Sequence, residues 1–176
     1  ALANASLRFS LGRDTSEQHI DTAAQQLVDA VLWLREISGE GDGAGSPAMP
    51  ATLENSFEYP APVWTQFLEA SGNSGSYPEG TPGLVTVRVE NRASASWLAL
   101  HCIVEAGQVT EARFTAFGCP VGVAVGHYLA TAAVGQPLAA LGELSTARLR
   151  QALEIPDDKL HCALMGEDAL KSLQKP

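Results

Sequence analysis

Residues 114–142 contain no Lys, Arg, Asp or Glu, and this uncharged stretch constrains the fold more than any other feature of the chain. A helix that crosses a bilayer needs about 20 apolar residues, so length alone would allow a membrane segment. The stretch is interrupted by residues that break apolar helices, namely Gly118, Pro120, Gly122, Gly126, Gly135 and Pro137. We therefore expect a buried helix of small residues in a soluble core, and no membrane segment.

Charge and cysteine content restrict the function. The 176 residues carry 11 Lys+Arg against 20 Asp+Glu, a net charge of −9, and the basic residues are scattered. A nucleic-acid partner is therefore not expected. Three cysteines do not suit a disulfide framework and indicate free or metal-bound thiols in a reducing compartment, so we expect a cytoplasmic protein. No targeting segment is visible, and the start at Ala1 predicts processing or excision from something longer.

The N-terminal part, residues 1–37, predicts a strand followed by a helix. The strand is Ser6–Arg13, and Thr15 with Gln18 forms a capping box before the helix. Apolar residues then recur at helical spacing, at Ile20, Ala24, Leu27, Val31 and Leu34. We expect this stripe to pack against another surface. Residues 38–55 begin with alternating glycines and predict a linker.

Residues 56–176 predict an α+β domain. A short amphipathic helix around Trp64 precedes three strand-like runs, Leu84–Glu90, Ser96–Glu105 and Gln108–Phe117, and helices are predicted at 120–134, 146–153 and 163–174. The Ala106-Gly107 pair is typical of a tight hairpin, so the strands should be antiparallel. Strands before helices indicate a small three-stranded sheet with helices packed on one face.

The cysteines differ in their surroundings. Cys119 follows Gly118 and precedes Pro120 at a strand-to-helix junction, where the N–H groups and dipole of the helix favour a thiolate. A buried, inert thiol is the alternative there, and position alone does not decide between them. Cys102 alternates with Leu100 on the apolar face of a strand and is predicted to lie in the core.

The His161-Cys162 pair precedes the last predicted helix. Imidazole and thiolate suit zinc or iron, although adjacent ligands are expected to need a nonhelical backbone, which Pro156 could provide. The dipeptide alone is a weak signal, because such pairs more often arise by coincidence.

From about Ser56 onward the chain resembles the iron–sulfur cluster scaffold proteins of the IscU/NifU N-terminal type. Residues 111–119, Glu-Ala-Arg-Phe-Thr-Ala-Phe-Gly-Cys, are similar to the strand that leads into the family's second cysteine. Residues 159–171, which contain Leu-His-Cys-Ala-Leu, are similar to its C-terminal histidine–cysteine motif. Weaker similarity covers residues 64–68 and 71–76. In that family three cysteines, an aspartate and a histidine surround a partly exposed site that binds zinc or assembles a [2Fe–2S] cluster.

The resemblance assigns Cys119, His161 and Cys162 to the second cysteine, the histidine and the third cysteine of this site. The family's Ala-Cys-Gly-Asp motif falls on residues 93–96, so Ser94 and Ser96 stand at the cysteine and aspartate positions. Three ligands can hold zinc or iron with one position open, whereas a [2Fe–2S] cluster ordinarily takes four, which argues against a stable cluster.

The family's Leu-Pro-Pro-Val-Lys segment, which a specialised Hsp70 chaperone recognises, reads Ile-Pro-Asp-Asp-Lys at residues 155–159. Two acidic residues replace proline and valine there. This departure argues against the chaperone as a partner.

Residues 7–13, Leu-Arg-Phe-Ser-Leu-Gly-Arg, begin a second resemblance, to the C-terminal part of cysteine desulfurases of the NifS/IscS type. The segment resembling that enzyme covers residues 1–37 and lacks both the lysine that binds pyridoxal phosphate (PLP) and the catalytic cysteine loop. It therefore implies no PLP chemistry in this chain. It does imply kinship with a sulfur donor, so a cysteine desulfurase and other iron–sulfur assembly proteins are the expected partners.

These observations favour a noncatalytic assembly protein that binds zinc or iron, or accepts persulfide sulfur at Cys119 or Cys162. A degenerate scaffold that serves as a binding or regulatory module is the alternative, suggested by Ser94 and Ser96. A third hypothesis, a thiol enzyme with His161 as base, lacks an orienting carboxylate and an oxyanion site.

Overall fold

The computed structural model describes residues 16–37, 55 and 58–174. In chain order the elements are α1 (Glu17–Ile37), α2 (Ala61–Glu69), β1 (Leu84–Asn91), β2 (Ser96–Glu105), β3 (Gln108–Phe117), α3 (Pro120–Ala133), α4 (Thr146–Leu153) and α5 (Leu160–Leu173). Three short 3-10 turns occupy Ala70–Gly72, Leu138–Glu143 and Asp157–Lys159. The predicted strand at residues 6–13 and nearly all of the predicted linker lie outside the described residues, and the domain boundaries stay predictions.

The three strands form an antiparallel sheet in the order β1-β2-β3, as the sequence predicts. Ala106 and Gly107 join β2 to β3 with φ values of 49° and 83°. Positive φ at both central residues matches the right-handed twist of a hairpin, which explains the tight connection. The pairing of β2 with β3 is irregular between Ile103 and Val104. The predicted α+β class with helices on a three-stranded sheet is confirmed.

Helix α3 covers 14 of the 29 residues of the uncharged stretch. Most of its residues are buried, and it packs against β2 and β3. A methyl group at Gly126 would lie 2.3 Å from Cδ2 of Phe114, so glycine lets the helix backbone approach the sheet closely. Among the described residues, no helix combines the length and apolarity that crossing a membrane requires. The small residues therefore serve close helix–sheet packing.

The apolar stripe of α1 does not pack as expected. Ile20, Val31 and Leu34 are 43%, 39% and 47% exposed. Because α3 and α5 already cover the apolar face of the sheet, α1 contacts the rest of the described chain mainly at β3 and at the Ala70–Gly72 turn. The stripe is therefore largely uncovered by the rest of the described chain, and its packing against a partner stays a prediction.

Candidate metal centre

Cys119 is held at the junction of β3 and α3. It is the N-cap residue of α3, with φ −86° and ψ 164°, and Pro120 occupies the first helical turn. The preceding Gly118 has φ 149°, a conformation that residues with a Cβ rarely adopt. A methyl group at Gly118 would also lie 2.8 Å from Cβ of Ser96. The local sequence therefore fixes the Cys119 thiol beside the end of the sheet and the start of a helix.

His161 and Cys162 lie in the first turn of α5, which begins at Leu160 rather than at residue 163. The expectation that they precede the helix and need a nonhelical backbone was wrong. The 3-10 turn Asp157–Lys159 follows Pro156 and leads directly into α5, so the helix starts three residues earlier than the sequence pattern suggests. Consecutive side chains of a helix, such as His161 and Cys162, point about 100° apart. The third donor, the Cys119 thiol, comes from the start of α3.

The ligand atoms of Cys119, His161 and Cys162 all lie within 4.8 Å of one another. The two sulfur atoms are 3.7 Å apart. Two thiolates bound to a tetrahedral zinc ion at about 2.3 Å would be about 3.7–3.8 Å apart, so the sulfur pair already has the spacing of two zinc ligands. The donor set, two sulfurs and one imidazole nitrogen, suits zinc or iron and leaves one tetrahedral position for another ligand.

The two thiols are electrostatically unequal. The hydrogen bond from Cys162 lowers the pKa of Cys119 to about 5, against the opposing effect of burial, and backbone N–H groups at Gly122 and Val121 and the Lys159 ammonium also lower it. The same hydrogen bond raises the pKa of Cys162 far above its ordinary value, and burial and the nearby Cys119 charge add to the effect. These opposite shifts favour the thiolate form at Cys119 and the neutral thiol at Cys162.

Ser94 and Ser96 lie next to the junction of β3 and α3. Their hydroxyl oxygens are 2.7 Å apart and share a hydrogen bond. Ser96 is buried, and its hydroxyl also lies 3.7 Å from the Met165 sulfur. Ser94 is exposed on the turn before β2. The two positions at which the resemblance expects a thiolate and a carboxylate thus carry neutral groups that satisfy each other.

Cys102 is separate from the cluster. It is 0% exposed on the covered face of the sheet, which confirms its predicted place in the core. Burial raises the pKa of its thiol to about 11. The neighbouring His101, on the opposite face, is also buried and lies between Thr86 and Thr115 at hydrogen-bonding distances of 3.2 and 3.1 Å.

Sequence reasoning missed Tyr59 as a neighbour of the site. Burial raises the pKa of its hydroxyl, and the charges of Cys119 and Asp158 raise it further while Lys159 lowers it. Tyr59 and Lys159 line an open surface cavity of about 260 Å³ together with Glu58, Pro60, Pro156 and Asp158. No spacing pattern connects Tyr59 with residues so far along the chain, so only the fold reveals this contact.

Fold and site together define a class: a small α+β domain in which the starts of two helices bring two thiols and an imidazole to one place. The family model described as "NifU-like N terminal domain" matches residues 62–174, and the chain belongs to this family.

The chain is similar to curated members of iron–sulfur assembly systems. It is 31% identical over 106 residues to iron-sulfur cluster assembly protein 2 of Arabidopsis thaliana, a match that covers 60% of this chain and 65% of that protein. It is 30% identical over 105 residues to the mitochondrial iron sulfur cluster assembly protein 1 of Schizosaccharomyces pombe, covering 58% and 54%. The chain thus spans less than two thirds of these relatives.

The fold is also similar to a solved structure from Fervidobacterium islandicum AW-1, described as an iron–sulfur cluster assembly scaffold protein for the SUF system. The TM-score is 0.56 at 10% sequence identity, and the match covers 69% of this chain and all of that one. At this identity the likeness supports the fold alone.

Proposed function

We propose that this protein is a noncatalytic member of an iron–sulfur cluster assembly system. In this proposal Cys119, His161 and Cys162 bind a zinc or iron ion, and Cys119 accepts persulfide sulfur when the metal is absent. The observation that carries the proposal is the convergence of three soft or borderline donor atoms within 4.8 Å. It occurs inside the segment that matches the family, residues 62–174.

The chemistry of each residue supports its role. Cys119 is partly exposed and is the thiol that supplies the nucleophilic thiolate, because the hydrogen bond with Cys162 and then the backbone N–H groups at the helix start lower its pKa. Cys162 is 1% exposed and acts as a ligand that only a small ion can reach. His161 contributes the third donor atom from the same helical turn. A bound ion would supply a charge of +2, which offsets the repulsion between two adjacent thiolates.

The proposed partner is a cysteine desulfurase that delivers sulfur to Cys119, together with other iron–sulfur assembly proteins. The proposed kinship of residues 1–37 with a desulfurase is consistent with such a partner. A cytoplasmic location is also proposed, because three cysteines do not suit a disulfide framework. We do not include an Hsp70 chaperone, because Asp157 and Asp158 replace the apolar residues of the recognised segment.

A degenerate scaffold that binds partners without metal is the second candidate. The observation that favours it is the hydrogen bond between Ser94 and Ser96, which occupies two donor positions with neutral hydroxyls. This candidate expects that Cys119 and Cys162 hold no ion, and it gives them no part in sulfur transfer.

Cobalt titration tests the proposal, since Co²⁺ replaces zinc and reports thiolate ligation by absorption. We expect one Co²⁺ per chain with thiolate charge-transfer bands, and loss of those bands in Cys119→Ala, His161→Ala and Cys162→Ala. Cys102→Ala is the matched control and should keep them, because Cys102 lies in the core. If Co²⁺, Zn²⁺ and Fe²⁺ all fail to bind and the same variants leave sulfur transfer from a desulfurase unchanged, the proposal is wrong and the second candidate stands.

A further inference from the structure

The two thiols of the site are close enough to react with each other. Their sulfur atoms are 3.7 Å apart, close to the distance of about 3–3.5 Å from which reacting atoms proceed to a bond. A disulfide has a sulfur–sulfur distance of about 2.05 Å, so closure requires an approach of under about 2 Å. Both residues lie at helix starts, Cys119 before α3 and Cys162 in the first turn of α5.

The pair is also asymmetric in exposure. Cys119 is half-buried and still reaches solvent, whereas Cys162 is 1% exposed. A methyl group at Gly122 would be 3.9 Å from the Cys162 sulfur, so the α3 backbone lies beside that thiol. A donor on another molecule can therefore reach Cys119 first. The remaining cysteine, Cys102, is fully buried in the core. Ser94 carries a hydroxyl at the position where the family resemblance expects another cysteine.

We propose that Cys162 is a resolving thiol, which attacks a persulfide carried by Cys119 and releases its outer sulfur as sulfide. This inference rests on the proposed role of Cys119 as persulfide acceptor and adds the fate of the sulfur. The protein then acts as a single-turnover source of sulfide, and it needs a dithiol reductant to return to its starting state.

The step balances in atoms and electrons. The Cys162 sulfur forms a bond to the Cys119 sulfur, the bond between Cys119 and the outer sulfur breaks, and the outer sulfur leaves as HS⁻ with the bonding pair. The Cys162 thiol loses its proton, and the departing outer sulfur of the persulfide anion takes up one proton, which is why it leaves as HS⁻. The outer sulfur is reduced to sulfide, and the two cysteine sulfurs are oxidised to a disulfide.

The placement of the two thiols suits the direction of this attack. Thiol–disulfide exchange proceeds in line, so the leaving sulfur departs on the side opposite the attacking thiol. Cys162 is the buried member and Cys119 the one that reaches solvent. The outer sulfur can therefore leave toward solvent, and HS⁻ can diffuse away or pass to an acceptor.

Mass spectrometry of the full chain tests the proposal. Metal-free protein is treated anaerobically with inorganic disulfide, S₂²⁻, whose transfer of one sulfur leaves one HS⁻. Wild type should become about 2 Da lighter through a Cys119–Cys162 disulfide, and Cys162→Ser should become about 32 Da heavier through a persulfide on Cys119. Wild type should release about twice as much sulfide per reacted chain as Cys162→Ser. Cys102→Ala is the control and should behave like wild type.

The outcomes separate this inference from the proposed function. If wild type itself accumulates the heavier persulfide form and no disulfide, the resolving role is wrong, while persulfide acceptance stands. If neither wild type nor Cys162→Ser takes up sulfur at Cys119, both are wrong. A wild-type disulfide that forms without donor under the same anaerobic conditions would also refute the proposal, because closure would then not depend on a persulfide.

Discussion

The close approach of α3 to the sheet predicts opposite effects for the same substitution at two glycines of one helix. In Gly126→Ala the new methyl group would lie 2.3 Å from Cδ2 of Phe114 and 2.9 Å from Cδ1 of Leu98. In Gly122→Ala the nearest atom would be the Cys162 sulfur at 3.9 Å, an ordinary contact. Both glycines are buried in α3, so the pair isolates packing from other effects.

The expected loss of stability in Gly126→Ala follows from the contact distances of its new methyl group. Nonbonded carbon atoms prefer separations of about 3.5–4.0 Å, so Gly126→Ala forces a displacement of about 1 Å or more. Phe114 and Leu98 are 0% and 1% exposed and cannot turn away into solvent. Overpacking of this kind costs about 1–3 kcal/mol. Alanine regains about 1 kcal/mol of helix propensity at either position, and this gain cancels when the two variants are compared.

Urea denaturation followed by circular dichroism measures the difference. We expect Gly126→Ala to be less stable than Gly122→Ala by about 1–3 kcal/mol, which at a slope of about 2 kcal/mol per molar shifts the midpoint by about 0.5–1.5 M. Gly122→Ala should match or slightly exceed wild type. If Gly126→Ala proves as stable as Gly122→Ala, the argument that glycine sets the helix–sheet distance is refuted.

Three further outcomes are expected. Burial lowers the pKa of His101, so the folded protein prefers the neutral ring. The contribution of His101 to the free energy of unfolding should be constant above about pH 6.5 and fall below it by up to about 1.4 kcal/mol per pH unit, so the loss of stability between pH 7.5 and pH 5, measured by urea midpoints, should be smaller in His101→Gln than in wild type. Ser145→Ala removes the hydroxyl that accepts from the Arg148 N–H at 3.4 Å and should cost about 1 kcal/mol in the same assay. In Gly118→Ala the φ is unfavourable and the new methyl group would lie 2.8 Å from Cβ of Ser96, so the substitution should lower stability by more than about 1 kcal/mol and weaken Co²⁺ binding. Unchanged Co²⁺ affinity would contradict the idea that Gly118 positions Cys119.

Local patterns were enough to predict the sheet. Alternating apolar residues and the Ala106-Gly107 turn placed β2 and β3 at their observed bounds, and the same alternation assigned Cys102 to the core. These features depend on neighbours in sequence, which is why they can be read without the fold. The strand-to-helix junction at Cys119 was also predictable, because it is local, although its position alone left both a reactive and an inert thiol open.

The start of α5 and the difference between the two thiols depend on tertiary contacts, which local sequence patterns do not reveal. Asp157–Lys159 form a turn that extends α5 to Leu160, so the backbone at His161 and Cys162 is helical, against expectation. The inequality of the two thiols arises mainly from the hydrogen bond between Cys119 and Cys162, a residue of α5. No spacing rule encodes that contact, since it depends on how α3 and α5 pack against the same sheet.

Metal binding and sulfur transfer, the two proposed uses of the Cys119–Cys162 pair, require the same two sulfur atoms. A bound ion occupies both sulfurs as ligands, so neither can take up a persulfide or attack one while it stays bound. If both proposals hold, sulfur acceptance would follow loss or displacement of the metal, and the disulfide that ends it would remove two of the three donors. Ser94 and Ser96 offer only neutral hydroxyls in their place, so the oxidised site would regain its metal ligands only after a reductant restores both thiols.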